Sequence, residues 1–435
     1  MVRKKSLLVG LIVLLGLVVM SGCSSGSEDA SNDSDSVSND VAAEEEQITL
    51  EFWTVNLRKG FEDYFLNLIS EYEQANEGVK IDWVDVPGDQ INQKIITALQ
   101  GDDIPDVVNL PDKALHLLPE SAVYPINELV DESRLDVYIP GLMESVTSGD
   151  KVLEIPWYNA GPRVGLLNKK LYEDAGLDPD NPPETWDEYF ENGEIIHSNL
   201  DNVYGSNQIP FMERLASIGV KPFNDDKTKA AFNTPEAVEL IQKFVDGYQT
   251  GALAPGSVSK NVQQLPESLE NGMVAQDGLY VASGLNRIES NAPDEFKQMK
   301  VFPGIKEEGG YYGVVSQQAL MIPRKSKHPE QAADFALFVT SPENQLEFCK
   351  LTPIFPSTSE TLQQPLFTNI EGDTLQDQAR KIMVEEADDM LAITVPENLR
   401  EFYEDEIRAA IMGEKSVEEA LDAAEEYWNS ELSSE

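Results

Sequence analysis

A two-lobed α/β protein is what this 435-residue sequence predicts. Three observations carry the expectation. Beyond a short apolar start and an acidic stretch, about 390 residues remain, enough for two globular lobes. The first of these alternate strand-like and helix-like segments in βαβαβ order, which gives mainly parallel strands covered by helices. From "TLQDQARKIMVEEA" onward, the last 60 residues read as helices only.

The chain opens with Arg3, Lys4 and Lys5, then an uncharged run of 14 residues from Leu7 to Met20. A membrane-spanning helix needs about 20 residues, so a basic start and a short apolar middle describe an export signal. In "LVVMSGCSSGSEDASND", Ser21 and Gly22 precede Cys23 as a lipoprotein cleavage site would. Residues 1–22 are thus read as a lipoprotein signal peptide, and Cys23 as the lipidated new N-terminus. Two acyl chains anchor stably where one does not. Residues 23–46 join this cysteine to an acidic linker. From Ser24 to Glu46 the linker has eight acidic groups and no basic one, too little apolar surface for a core. The expected location is the extracellular face of the cell membrane, held by lipid.

The globular part then reads in order. "ITLEFWTV" is a strand, and "GFEDYFLNLISEYEQAN" sets Phe61, Phe65, Leu68, Ile69 and Tyr72 on one helical face. "VKIDWVDV" alternates as a strand. "DQINQKIITALQG" aligns Ile91, Ile95 and Leu99 and stops at Gly101, and "PDVVNL" is a short buried strand. Farther on, "NTPEAVELIQKFVDGY" and "TSPENQLEF" place proline just inside a capped helix start. "SVEEALDAAEEYW" opens with Ser416 and Glu419 in capping-box spacing.

Composition excludes more than it selects. Formal charge is −46, which argues against nucleic acid, a partner that needs a basic face. So acidic a surface repels itself in dilute buffer and is tolerable where salt screens it, which reads as adaptation to a saline exterior. With two cysteines there is no disulfide framework once Cys23 is lipidated, and Cys349 reads as a small buried side chain. His116, His197 and His328 stand far apart in no metal-ligand spacing, so no metal or cofactor is expected. The formal G-x-S-x-G at Gly22–Gly26 straddles the lipidation site and cannot be a nucleophile elbow. No catalytic pair stands out, and no enzyme is expected.

Aromatic residues are the positive signal. Trp53 ends the first strand, Trp157 and Tyr158 stand in "EIPWYNAGPR", Tyr280 in "QDGLY", and Tyr312 follows "EEGG". Rings near strand ends beside Asn, Asp and Arg suit sugars, whose C–H faces stack while their hydroxyls bond to planar polar groups.

From about Gln47 to the C-terminus the chain resembles the family 1 extracellular solute-binding proteins, the maltose-binding-protein-like class serving ABC sugar importers. "IPWYNAGPRVGLLNKKLYEDAGLDPDNPPETWDEY" is similar to the family stretch entering the second lobe, with Leu167-Asn168 where Tyr-Asn is usual. "LENGMVAQDGLY" is similar to a segment in which Tyr280 replaces the commoner tryptophan. "KSKHPEQAADFALFVTSPENQLEFCKLTPIFPST" resembles the return helix and final crossover.

The resemblance implies a periplasmic-binding-protein-like fold with hinge crossovers near 155–157, 312–314 and 353–356 and a ligand cleft between lobes. The N-terminal lobe would comprise 47–156 plus 313–352, and the C-terminal lobe 157–312 plus 353–435. Trp53, Asn56, Asn109, Asp112, Trp157, Tyr158, Arg163 and Tyr280 would bind ligand. The implied function is a monomeric, lipid-anchored receptor that delivers a sugar or oligosaccharide to ABC permease subunits. Alternatives are a same-fold receptor for a polyol or compatible solute, a glycerol phosphodiester or a peptide, or a surface glycoside-processing enzyme.

Overall fold

The computed structural model describes residues 47–88, 90–101, 104–111, 118–260, 264–314 and 317–433. The signal peptide, Cys23, the acidic linker, Asp112 and His116 lie outside the described residues.

The chain begins with β1 (Ile48–Val55), α1 (Arg58–Ala75), β2 (Val79–Val86), α2 (Ile91–Gln100) and β3 (Val107–Pro111). Next come α3 (Pro140–Ser145), the hairpin β4 (Thr147–Ser148) and β5 (Lys151–Val152), and β6 (Ile155–Asn159). A second region holds β7 (Val164–Asn168), α4 (Lys169–Ala175), α5 (Trp186–Asn199), α6 (Met212–Ala216), α7 (Pro235–Thr250) and α8 (Gln264–Glu270). It continues through β8 (Gln276–Tyr280), α9 (Leu285–Asn291), α10 (Pro293–Phe296), β9 (Met299–Pro303) and β10 (Tyr312–Val314). The chain returns through β11 (Gln318–Met321), α11 (Pro329–Val339), α12 (Pro342–Leu351) and β12 (Phe355–Pro356). It finishes with α13 (Ser359–Leu362), α14 (Pro365–Thr368), α15 (Leu375–Glu385), β13 (Met390–Ala392), α16 (Glu397–Ile411) and α17 (Val417–Leu432).

The first sheet has the order β12-β6-β11-β3-β1-β2. Its front three strands are parallel, as βαβαβ order requires, while β11, β6 and β12 add antiparallel. The sheet is therefore mixed, because β11 and β12 arrive only after the chain has visited the second lobe. There, β8-β7-β9 form an antiparallel sheet and β10 pairs with β13 in parallel. That pairing puts a short strand into the C-terminal run expected to be all helix.

Alternation explains the first lobe. Leu50 and Phe52 of β1 enter the core under α1 and α11, while Trp53 enters a second core under α2. Strands covered on both faces bury both sets of side chains. Helix α1 buries Phe65, Leu68, Ile69 and Tyr72 as its spacing predicts, but Phe61 has non-helical φ/ψ and is half-buried. The predicted starts are present: Thr234 caps α7, Ser341 caps α12, and Ser416 with Glu419 closes a capping box on α17.

A third core ties the lobes together. Ile139, Leu142, Cys349 and Phe355 pack with Val164, Leu166, Tyr280 and Met390. Helix α3 lies so close to β13 that a β-carbon on Gly141 would stand 1.9 Å from the Met390 carbonyl oxygen. Burial pushes the Cys349 thiol up to about 12, as an inert structural thiol requires.

Sheet membership moves the crossovers. Trp157, Tyr158 and Asn159 remain in the first sheet, so the first crossing falls at 160–163, a few residues later than the sequence places it. Gly161 turns there with φ +79°, its amide donating to the Asn159 side chain at 2.6 Å. A β-carbon at Gly161 would meet Met383 and Phe355 within 2.6 Å, so only glycine fits. Strand β10 stays with β13, putting the second crossing after Val314, and Phe355–Pro356 still pair with β6.

Candidate functional site

Strand β6 is antiparallel to β11, which is antiparallel to β3, so β6 runs in the same direction as β1, β2 and β3. All four carboxyl ends leave the first sheet at one edge, where open α/β sheets receive ligands. The first crossover departs from that edge too.

Two of the anticipated residues stand there. Asn56, at φ +56°, is exposed; its side-chain oxygen accepts from the Gly88 amide at 3.2 Å and pins the loop after β1 to the loop after β2. Tyr158 is half-buried, its ring edge-on to Phe348. Burial first, then the Asp85 charge, holds its hydroxyl well above the usual tyrosine value. Asp85 itself accepts from Thr54 Oγ1 at 2.7 Å, from the Leu57 amide at 2.9 Å and from the Arg58 amide at 3.1 Å. It caps α1 across the sheet, where the local N-cap position is a leucine.

Four candidates lie elsewhere than expected. Trp53 is sealed beneath α2, the Lys94 ammonium 3.7 Å from its ring centroid. Trp157 is fully buried, 5.9 Å from Phe65 and 5.7 Å from Phe348 between ring centroids. Tyr280 packs in the shared core with Leu285 and Ile288, and burial raises its hydroxyl pKa. Asn109 is buried in β3, its amide donating to Gln318 Oε1 at 3.1 Å. One cause covers them: each stands in a strand covered on both faces, so the side chain enters a core rather than a loop.

Arg163 joins a set that the sequence reading passed over. It borders a cavity of about 480 Å³ in the second lobe. One wall comes from Gln208 and the start of α6, where Phe211 and Glu213 stand; the other is the face of α16 bearing Arg400, Glu404 and Arg408. Helix α16 is held in place by the adjacent stripe, in which Leu399, Tyr403 and Ile407 are buried. The Tyr403 hydroxyl donates to the Pro210 carbonyl at 3.0 Å, fixing α16 against the approach to α6. Arg163 Nη2 meets Glu213 at 3.2 Å, and along α16 Arg408 Nη2 meets Glu404 at 2.9 Å. Burial opposes the charge on Arg400, but its bond to Glu397 and the charges of Glu397, Glu404 and Glu213 hold it above the ordinary value. Beneath the wall, a buried pair joins Arg214 of α6 to Asp277 of β8 at 2.9 Å.

A second cavity, of about 370 Å³, lies between α3 and residues 221–227. Its lysines serve as ties across that gap: Lys221 bonds Glu144 at 2.5 Å and Lys227 bonds the Ser145 carbonyl. No group of metal-binding side chains occurs among the described residues.

Residues 58–346 match the bacterial extracellular solute-binding protein family, covering more than half of the chain. The chain belongs to that family. Its members are substrate-capturing components, and this solute-binding protein shares their two-lobed α/β fold. A Synechococcus protein assigned as a periplasmic oligosaccharide-binding protein superposes with TM-score 0.76 at 25% identity, covering 88% of this chain and 99% of that one. The cyclic α-maltosyl-1,6-maltose-binding protein of Arthrobacter globiformis gives TM-score 0.72 at 22% identity, with coverages of 89% and 100%. The sn-glycerol-3-phosphate-binding periplasmic protein of Rhizobium meliloti is 22% identical over 367 residues, 78% of this chain and 83% of the relative.

The signal for the missed wall was faint. In "PENLREFYEDEIRAA" the charges recur at helical spacing, as they would on any solvated helix face. In "SNQIPFMERL", Phe211 falls between a proline and a helix start, with no periodic context.

Proposed function

We propose that this solute-binding protein captures a sugar or oligosaccharide between its lobes and delivers it to the permease of an ABC importer. Lipid on Cys23 holds it at the outer face of the membrane. One observation carries the ligand class: the second-lobe cavity sets guanidinium donors and carboxylate acceptors side by side around Phe211. A sugar hydroxyl both donates and accepts, so this alternation suits it, while Phe211 offers a face for the C–H surface of a pyranose. Gln208, Arg163, Glu213, Arg400, Glu404 and Arg408 would supply the remaining contacts. Closure would bring the loops after β1 and β2, with Asn56, over the opposite side of the sugar. The oligosaccharide-binding relatives favour the same class.

The test is a thermal-shift screen against mono-, di- and oligosaccharides, followed by chromatography of the recovered ligand. A ligand at 100 times its dissociation constant adds about 2.7 kcal/mol to stability. We expect at least one saccharide to raise the melting temperature and to be recovered intact. A panel without any shift would refute the sugar reading, and a cleaved product would refute the binding-only role.

A further inference from the structure

We infer that the protein's own carboxylates close this site to phosphorylated solutes, with Glu213 and Glu404 as the guard residues. The inference rests on the reading that the second-lobe cavity receives the ligand.

Four cations line the cavity, Arg163, Lys260, Arg400 and Arg408, and each is bonded to an acid of the same chain. Arg163 meets Glu213 at 3.2 Å, Arg400 meets Glu397 at 2.6 Å, and Lys260 meets Asp405 at 2.7 Å. Arg408 is gripped twice, by Glu404 at 2.9 Å and by Asp405 at 3.2 Å. Both Nη groups of Arg163 and Arg408, and Nη2 of Arg400, the fork with which arginine takes a phosphate, are therefore engaged internally. Both the Arg163–Glu213 and Arg408–Glu404 pairs keep under a fifth of their side-chain surface exposed, so salt screens them little.

The Nε atoms of Arg163, Arg400 and Arg408 are buried without a hydrogen-bond partner among the described residues. Sealed from solvent, they offer no fork to an anion entering the cavity. A phosphate entering the cavity would instead lie against Glu213 and Glu404, whose like charge repels it where solvent screens little.

The strand-end edge of the first lobe repeats the arrangement. The N-terminus of α1 would be a ready anion site, yet its Leu57 and Arg58 amides donate to Asp85. On both lobes an internal carboxylate stands where a ligand anion would go. Such a guard would set this chain's ligand apart from the glycerol 3-phosphate named for relatives 22% identical to it.

Isothermal titration with sn-glycerol 3-phosphate tests the guard directly, on wild type, on Glu213→Gln/Glu404→Gln, and on Glu414→Gln/Glu418→Gln. The last pair, exposed and outside the cavity, removes the same charge elsewhere. We expect no binding by wild type or the exposed-site control, and at least a tenfold gain by the cavity variant. Micromolar binding by wild type would overturn the inference. So would an equal gain in both variants, or no gain in a cavity variant whose melting is cooperative. If the double variant does not fold, Glu404→Gln alone takes its place with the same expected direction. A saccharide titration of wild type reports separately on the parent reading. Saccharide binding with no phosphate gain in the variant refutes only the guard, and phosphate binding by wild type without saccharide binding refutes both.

Discussion

Replacing Trp157 separates two roles that its position in the sequence left open. The indole is fully buried and packs against Phe65, Tyr158 and Phe348 at centroid distances of 5.9, 5.1 and 5.7 Å. Truncating such a side chain to alanine costs about 3–5 kcal/mol, from lost transfer energy and the cavity left behind. For a lobe-sized domain, each kcal/mol shifts the melting temperature by about 2–4 °C, so Trp157→Ala should melt roughly 6–20 °C lower. Trp157→Phe should lose less, because the indole nitrogen has no partner among the described residues and its removal relieves a buried unsatisfied donor. Ligand affinity of the folded fraction should remain near wild type, since the ring faces α1 and α12 rather than the cavity. Calorimetry and ligand titration on the same preparations provide the assay. An alanine variant that melts like wild type but binds saccharide weakly would refute the core assignment.

Four further outcomes are expected. Phe211→Ala should weaken saccharide binding by about 1–3 kcal/mol with little change in melting, because the half-buried ring borders the cavity; unchanged affinity would remove it from the site. Gly141→Ala should lower the urea midpoint, since its β-carbon would lie 1.9 Å from the Met390 carbonyl and must push α3 off β13; an unaltered midpoint would contradict that close approach. Melting temperature should rise from dilute buffer to molar salt, as screening over about 3 Å relieves the self-repulsion of a −46 charge; a flat profile would remove the saline argument. Cys23→Ser should leave the detergent phase on phase separation, and a variant still retained there after signal cleavage would refute the lipid tether.

The sequence by itself determined what depends on neighbours within a turn or two. The strand–helix alternation through β3, the buried stripe Phe65–Leu68–Ile69–Tyr72 and the capping box at Ser416 follow from local periodicity and capping. Family membership was legible as well, because it is spread over many short segments. Only the tertiary structure decided which way the aromatic residues face. Alternation along β1 and β6 says that neighbouring side chains diverge, but not that both faces of each strand are covered, as α1 and α2 cover them at Phe52 and Trp53. The cavity was equally out of reach, since Arg163, Phe211 and Arg408 are far apart in the chain and meet only when α16 docks beside α6. A run of Arg and Glu on a helix has the same spacing whether it faces water or a ligand site. What the charges face is set by long-range packing, to which local pattern is blind.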